Sequence, residues 1–476
     1  MKRPAMAHQL CMIDFGLARK TFAFYCEMGT GKSQPIVNIF TALKFEKKVS
    51  HCLIICPKSV VDSWINEIKI NSDHSYEILT GTKKKRLAAL DRLADFYIIN
   101  YEGMLVMADA SWDKIDMVVL DESQKINNHA AKRTKLILKL FARRNCYKAL
   151  LSGTPIDKNP LGLYTQFYFL NPDIFNQGSF YAFRNTYAIL ENQYLNRGGR
   201  LIEFKQIIGF KNLDNLKEKI KPWAIQLKKA ECLDLPEKIY ETKTLEMPEE
   251  LKKQYQAMKE ELVVWFSENE YIAAANALVK IGKLRQILSG VFLEKKTDNL
   301  KLKEIIDIVD NTDESIIIWA YYIDSIKLLQ TTLEERGEKC SMLYGAIKGR
   351  AEQIELFQSG KNRIFIGQIE TGGLGITLTK ASQVIYFENT FRLEDRLQSE
   401  DRAHRKGQVN KVLYTDFVYK NTIDEHIIRA IRDKQEIADQ VIDCFTGTRV
   451  NIEKKKEKRN GNKEKICQCS AYGQAV

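Results

Sequence analysis

One segment restricts the possible folds of this chain more than any other. Phe24-Tyr25-Cys26-Glu27-Met28-Gly29-Thr30-Gly31-Lys32-Ser33 follows a short apolar run and ends in Gly-Lys-Ser. That is the pattern of a loop that wraps a nucleotide's phosphates. Gly29 and Gly31, with Met28 and Thr30 between and beside them, let consecutive backbone N–H groups turn inward around a β-phosphate. The helix that follows adds the positive end of its dipole. Lys32 would reach the β- and γ-phosphates, and the Ser33 hydroxyl would ligate Mg²⁺. A strand, such a loop and a helix in succession predict an α/β fold on a doubly wound parallel sheet. The pattern has one departure: the position five before Gly31 is Cys26, not glycine.

A carboxylate pair follows at domain-scale distance. In Met117-Val118-Val119-Leu120-Asp121-Glu122, four apolar residues read as a buried strand and the acidic pair sits where its C-terminal end meets a loop. Ligands of open α/β sheets collect at the carboxyl ends of strands. There Asp121 can hold Mg²⁺ through water, and Glu122 can orient and deprotonate an attacking water. Alone, the same pair could equally cap a helix N-terminus.

From this point the order of motifs resembles a family. Asp121-Glu122-Ser123-Gln124-Lys125-Ile126-Asn127-Asn128 is similar to the acidic segment of superfamily-two helicase-like ATPases, in particular the Swi/Snf-type branch. Gln9 stands where that family places an adenine-reading glutamine. Leu53–Val61 with Trp64 resembles the strand and loop that touch one DNA strand, and Ile98–Glu102 another DNA-side loop. Leu150-Leu151-Ser152-Gly153-Thr154-Pro155 resembles the loop that couples ATP to DNA. By this resemblance Lys58, Asn100, Thr154 and Thr371 would face DNA.

The second half continues the match. Ile316–Ala320 reads as a buried strand opening a second lobe, and Glu370–Thr379 resembles the glycine-rich segment that faces both nucleotide and DNA. Gln398-Ser399-Glu400-Asp401-Arg402-Ala403-His404-Arg405-Lys406-Gly407-Gln408 is similar to the segment that brings arginines to the γ-phosphate. The resemblance therefore adds Gly375 and Gln398 to the nucleotide site, makes Arg405 the arginine finger and makes Arg402 a second phosphate contact. A planar guanidinium supplied there would stabilise the charge that spreads over the γ-oxygens during transfer.

Charge and composition fit this reading. The net charge of +12 favours a polyanionic partner. Residues 449–465 hold eight basic and three acidic side chains with few large apolar groups, which predicts a disordered basic tail. That tail could be merely solvated or could hold DNA phosphates. No run of eighteen apolar residues spans a membrane, and Met1-Lys2-Arg3-Pro4 lacks the apolar stretch of a secretory signal. Ten scattered cysteines with no Cys-x-x-Cys pair suit reduced, buried thiols in a cytoplasmic protein, a nuclear location being also compatible.

The expected organisation is a pair of RecA-like lobes. Residues 1–156 form the ATP-binding lobe, 157–298 helical insertions and the linker, 299–445 the second lobe with a C-terminal brace, and 446–476 the tail. The aromatic group from Phe167 to Phe183 reads as helix packing. The function implied is an ATP-dependent motor on double-stranded DNA, acting as a monomer. A helicase that separates strands, or that remodels or anneals forks on forked or single-stranded DNA, shares nearly all these motifs. A DNA clamp without motor activity is the remaining alternative.

Overall fold

The computed structural model describes residues 2–442 apart from 158, 198–199, 269–272, 292–298, 346 and 348. The basic tail expected at 446–476 lies outside the described residues. Among them, β1 (Thr21–Cys26), β2 (Cys52–Cys56), β3 (Tyr76–Ile78), β4 (Phe96–Asn100), β5 (Met117–Asp121) and β6 (Tyr147–Leu151) alternate with helices. After a hairpin of β7 (Ala188–Arg197) and β8 (Arg200–Phe210) comes β9 (Ala224–Leu227). Seven of these strands pair in the order β3-β4-β2-β5-β6-β1-β9, every neighbour parallel. The parallel pairing explains the sequence pattern: both faces are covered by helices, so strands such as Cys52-Leu53-Ile54-Ile55-Cys56 are apolar at every position.

The second sheet contains β10 (Lys238–Leu245), β11 (Ile316–Ala320), β12 (Cys340–Leu343), β13 (Ile364–Gln368), β14 (Gln383–Tyr386) and β15 (Val412–Tyr419). Their order is β10-β15-β14-β11-β13-β12, again all parallel. Alternation along β11 divides its side chains between two cores. Ile316, Ile318 and Ala320 pack with Leu302, Ile305 and Leu329, while Ile317 and Trp319 pack with Phe357 and Phe365.

The chain groups into two compact units, one built from residues up to 189 with 209–234, the other chiefly from 235–435. Inside 157–298 the helices Leu163–Leu170, Phe180–Tyr187, Leu213–Ile220 and Glu249–Glu268 occur as helical stretches were expected. The strands in that stretch were not expected. Ala224–Leu227 completes the first sheet beside β1, and Lys238–Leu245 runs along β15 as the edge of the second. Four residues give β9 too short a signal, and the Lys, Glu and Thr of β10 suit an edge strand half open to solvent. Within the aromatic group Phe167, Phe175 and Phe183 pack as expected, meeting one another and Tyr164 with centroids 4.8–6.5 Å apart, while Tyr181 is exposed.

Lys148 on β6 is a buried cation, 3% exposed, that donates to Ala142 O at 2.6 Å and Leu170 O at 3.2 Å. Those carbonyls close the helices Lys132–Phe141 and Leu163–Leu170. The ammonium thus meets two negative helix ends, although burial still lowers its pKa. Lys148→Met would leave both carbonyls without this donor, and urea unfolding should register a loss of about 1–3 kcal/mol.

Candidate active site

The candidate residues of the first unit gather at one edge of its sheet. The loop after β1, Lys58 after β2, Asn100 ending β4, Asp121 ending β5 and Ser152–Thr154 after β6 all lie at the carboxyl ends of parallel strands. In an α/β sheet that edge is where ligands bind.

The loop is built as a cradle. Gly29 and Gly31 take φ values of 80° and 75°, and Ser33 opens the helix Ser33–Phe45. A Cβ on Gly31 would stand 2.6 Å from Gln9 Nε2, and one on Gly153 would stand 2.8 Å from Met28 Cγ. Only glycine therefore lets the neighbouring side chains lie this close to the loop. Lys32 Nζ is folded onto the loop, donating to Cys26 O at 2.8 Å and Glu27 O at 3.3 Å. Cys26, the departure from the pattern, is the last residue of β1 and is fully buried. Burial pushes its thiol up to about 12, so it stays neutral and unreactive beside Lys32.

Two residues of the helix Ala7–Leu17 hold this loop from behind. Gln9 donates from Nε2 to Gly31 O at 3.0 Å and accepts from the Met6 N–H at 2.9 Å. His8 donates from Nε2 to Thr30 O at 2.9 Å. Gln9 thus supports the loop in this structure, its side chain fully buried. Glu27 ties the loop to β9 and the residues after it: its N–H donates to Leu227 O, and its Oε2 accepts from the Lys229 N–H at 2.9 Å.

The acidic pair is held with equal care. Asp121 Oδ2 accepts from Trp64 Nε1 at 2.8 Å, and Oδ1 accepts from the Glu122 N–H at 3.0 Å. Burial raises the Asp121 carboxyl, opposed by the Trp64 hydrogen bond and the Lys32 charge. Glu122 adopts a left-handed conformation, φ 51° and ψ 56°. For a non-glycine residue this stores strain that surrounding bonds must hold. Gln124 Nε2 donates to Glu122 Oε2 at 2.8 Å, Ser152 Oγ to Gln124 Oε1 at 2.7 Å, and the Thr154 N–H to Ser152 Oγ at 3.0 Å. One chain of bonds thus runs from the acidic loop to the Ser-Gly-Thr loop.

This donor set suits a nucleoside triphosphate with a divalent cation. Ser33 and Asp121 offer the hydroxyl and carboxylate oxygens that Mg²⁺ prefers, and a cation would relieve the buried Asp121 charge. The four DNA-side positions differ in access. Lys58 is exposed and Asn100 half-buried, its Nδ2 donating to Glu102 Oε2 at 3.2 Å. Thr154 is 5% exposed and Thr371 8%, the latter donating to Gln368 O at 2.6 Å. Neither threonine presents its side chain at the surface in this structure.

The second unit assembles its own set. Gly375, φ 72°, ends the 3-10 turn Ile369–Leu374. Arg402 and Arg405 both donate from Nη1 to Ile376 O, at 3.3 and 3.1 Å, and Arg405 also donates to Thr377 Oγ1 at 2.9 Å. Burial lowers the Arg405 pKa, countered by Asp401. Gln398 Nε2 donates to Glu394 Oε1 at 3.1 Å, and His404 donates from Nε2 to Pro236 O at 2.7 Å. Arg402 and Arg405 therefore meet the Ile376–Thr377 segment that follows Gly375, and Gln398 lies one helical turn before Arg402.

The helix Leu393–Ala403, which carries Arg402 and ends two residues before Arg405, is anchored through Glu400. Glu400 accepts from Arg396 Nε at 2.8 Å, Lys238 Nζ at 3.0 Å and Tyr240 OH at 2.7 Å. Burial would raise its carboxyl, but Lys238 and Arg396 outweigh that and bring it down to about 2. Because this lies below the ordinary 4.5, the stabilisation is full above pH ~4.5 and is lost as pH falls toward 2. Urea titrations should show wild type losing stability of order a few kcal/mol more than Glu400→Gln across that window.

Sequence reasoning missed several of these residues. Trp64 was grouped with a DNA-side loop, yet its ring is buried and bonded to Asp121. His8 and Lys238 gave no local signal, and Ser152 and Glu400, though inside quoted motifs, were given no role of their own, because each acts on residues far away in sequence.

Comparison with known proteins gives the family. Residues 24–300 match the SNF2-related domain, and residues 300–407 match the helicase conserved C-terminal domain. Over 433 residues the chain is 28% identical to an uncharacterized ATP-dependent helicase of Mycoplasma genitalium, covering 87% of this chain and 40% of that protein. Over 485 residues it is 23% identical to the ATP-dependent helicase fft1 of Schizosaccharomyces pombe, covering 86% of this chain and 49% of that one. The chain thus spans under half the length of these relatives. A solved SWI2/SNF2 ATPase core of Sulfolobus solfataricus, in complex with dsDNA, aligns over 94% of both chains at 23% identity and a TM-score of 0.43. The chain belongs to the SNF2-related family of superfamily-two helicase-like ATPases.

Proposed function

We propose that this chain is a DNA-dependent ATPase that converts ATP hydrolysis into movement along double-stranded DNA. The observation that carries the reading is the hydrogen-bonded chain Glu122–Gln124–Ser152–Thr154. It links the residue suited to activate water with the loop that the family resemblance places beside DNA.

In this reading ATP's phosphates replace the backbone carbonyls that Lys32 now contacts. Gly29–Gly31 offer N–H groups to the β-phosphate, and Ser33 and Asp121 would hold Mg²⁺, whose charge would offset that of the phosphates. Glu122 orients the attacking water and accepts its proton. Arg405 stabilises the charge developing on the γ-phosphate, with Arg402 as a second phosphate contact. By the family resemblance Gly375 and Gln398 would belong to the nucleotide site, and Gln9 would have to leave its buried position against Gly31 to read adenine. Lys58, Asn100, Thr154 and Thr371 belong to the DNA-facing loops, whose relative shifts during each cycle advance the motor. For the two buried threonines this requires the loops to open or to act through their backbone.

The test is the steady-state ATPase rate without DNA and with single-stranded, plain duplex and forked DNA. Strong stimulation by plain duplex is expected. Stimulation by single strands or forks alone would point to strand separation or fork remodelling, and turnover indifferent to all DNA would overturn the assignment of substrate.

A further inference from the structure

The helix Leu163–Leu170 places a glutamine inside an aromatic core. Gln166 is fully buried among tyrosines and phenylalanines, where an amide is costly unless each polar atom is partnered. All of them are. Its Oε1 accepts from Tyr25 OH at 3.0 Å and Ser123 Oγ at 2.6 Å. Its Nε2 donates to Asn127 Oδ1 at 2.7 Å and Pro155 O at 2.8 Å. A glutamine amide has two donors and one oxygen with two acceptor positions, so this one is saturated.

The four partners come from three pieces of the candidate site. Tyr25 precedes the phosphate loop, Ser123 and Asn127 belong to the acidic loop, and Pro155 follows Thr154. Asn127 closes the group by donating from Nδ2 to Pro155 O at 3.1 Å. Ser123 lies between Glu122 and Gln124 in sequence but bonds to a different set of partners. Glu122 and Gln124 join Ser152 and Thr154, and Ser123 joins Gln166 and, through it, Pro155. The acidic loop and the Ser-Gly-Thr-Pro loop are thereby fixed to each other twice. The strained backbone at Glu122 sits where both fixings meet.

We propose that Gln166 is a positioning residue for ATP hydrolysis: it holds Glu122 in its left-handed conformation and keeps the acidic loop in register with the loop at 152–155. This rests on the proposed role of Glu122. It touches no phosphate, so its removal should slow turnover and leave ATP affinity nearly intact. Saturated amide networks of this kind transmit displacement because no member can move without breaking a buried bond.

The test compares wild type, Gln166→Leu, Gln166→Glu and Ser123→Ala for kcat and ATP KM, with and without duplex DNA, beside thermal melting. Gln166→Leu should lower kcat by about 10–100-fold, as expected when a reacting group is slightly misplaced, with KM moving less than about threefold. Gln166→Glu keeps the acceptor toward Ser123 and Tyr25 but faces Asn127 Oδ1 and Pro155 O without a proton. Its kcat should therefore rise, relative to wild type, as pH is lowered from about 8 to 6 and the buried carboxyl protonates. Ser123→Ala removes one arm at little risk to folding. It should lower kcat without shifting KM, and should decide the matter if Gln166→Leu does not fold. Wild-type kcat in Ser123→Ala and in any folded Gln166 variant, with only melting altered, would overturn the proposal. Wild type that hydrolyses ATP without any DNA response would instead strike the DNA reading, since the effect on DNA-free kcat is read separately.

Discussion

Lys32→Ala is expected to lower ATP turnover by about 10²–10³-fold, the loss found when one charge-stabilising donor leaves a preorganised site. The ammonium stands at the mouth of the loop and is held by two backbone carbonyls, Cys26 O and Glu27 O. These are exchangeable contacts, and phosphate oxygens make stronger charge-assisted ones. Alanine removes the only side chain of the loop proposed to reach both the β- and γ-phosphates. The loop itself keeps its shape, because Gln9, His8 and Glu27 hold it independently of Lys32. Phosphate release should therefore collapse while the melting temperature stays close to that of wild type. Retained turnover in folded Lys32→Ala would remove the phosphate loop from the mechanism.

Glu122→Gln should separate binding from hydrolysis. The substitution is isosteric, and a glutamine oxygen at 122 can still accept from Gln124 Nε2, so the connection to Ser152 and Thr154 persists. What is lost is the proton acceptor for the attacking water, a contribution of about 10²–10⁴-fold. Nucleotide binding, followed by a fluorescent ATP analogue, should remain within a few-fold of wild type. Near-normal hydrolysis would show that Glu122 is not the base. Asp121 is a poor substitute, since in this reading its carboxylate is committed to Mg²⁺ as well as to Trp64 and the Glu122 N–H.

Much of this arrangement is legible in the sequence because its signals are local. Cys52–Cys56 and Ile316–Ala320 are continuous apolar runs bounded by polar loops, and each is a strand between those limits. The phosphate loop and acidic pair are contiguous motifs at strand ends, where the parallel sheet gathers them. Other features depend on distance. Gln166 meets Tyr25 across 141 positions, and Lys238 meets Glu400 across 162, so no window of sequence contains either pair. The polar strand Lys238–Leu245 is stabilised by pairing along the whole of β15, a tertiary contact that overrides its weak local signal. Thr154 was placed on a DNA-facing loop by resemblance, but its burial follows from the loop folding back over Ser152.

The left-handed Glu122 is the last residue before the 3-10 turn Ser123–Ile126, and three side chains of that loop (Ser123, Gln124 and Asn127) bond to groups outside it. A backbone so fixed can carry a carboxylate in a conformation that a free loop would abandon.

Movement along intact duplex is the central claim, and release of a third strand measures it most directly. A labelled oligonucleotide is bound as a triplex at one end of a long duplex, and its displacement is followed with ATP, without ATP and with Glu122→Gln. Displacement that requires ATP and the wild-type glutamate, with the duplex beneath remaining paired, is the predicted result. Vigorous ATP turnover with the third strand left in place, or with the duplex strands separated instead, would contradict it.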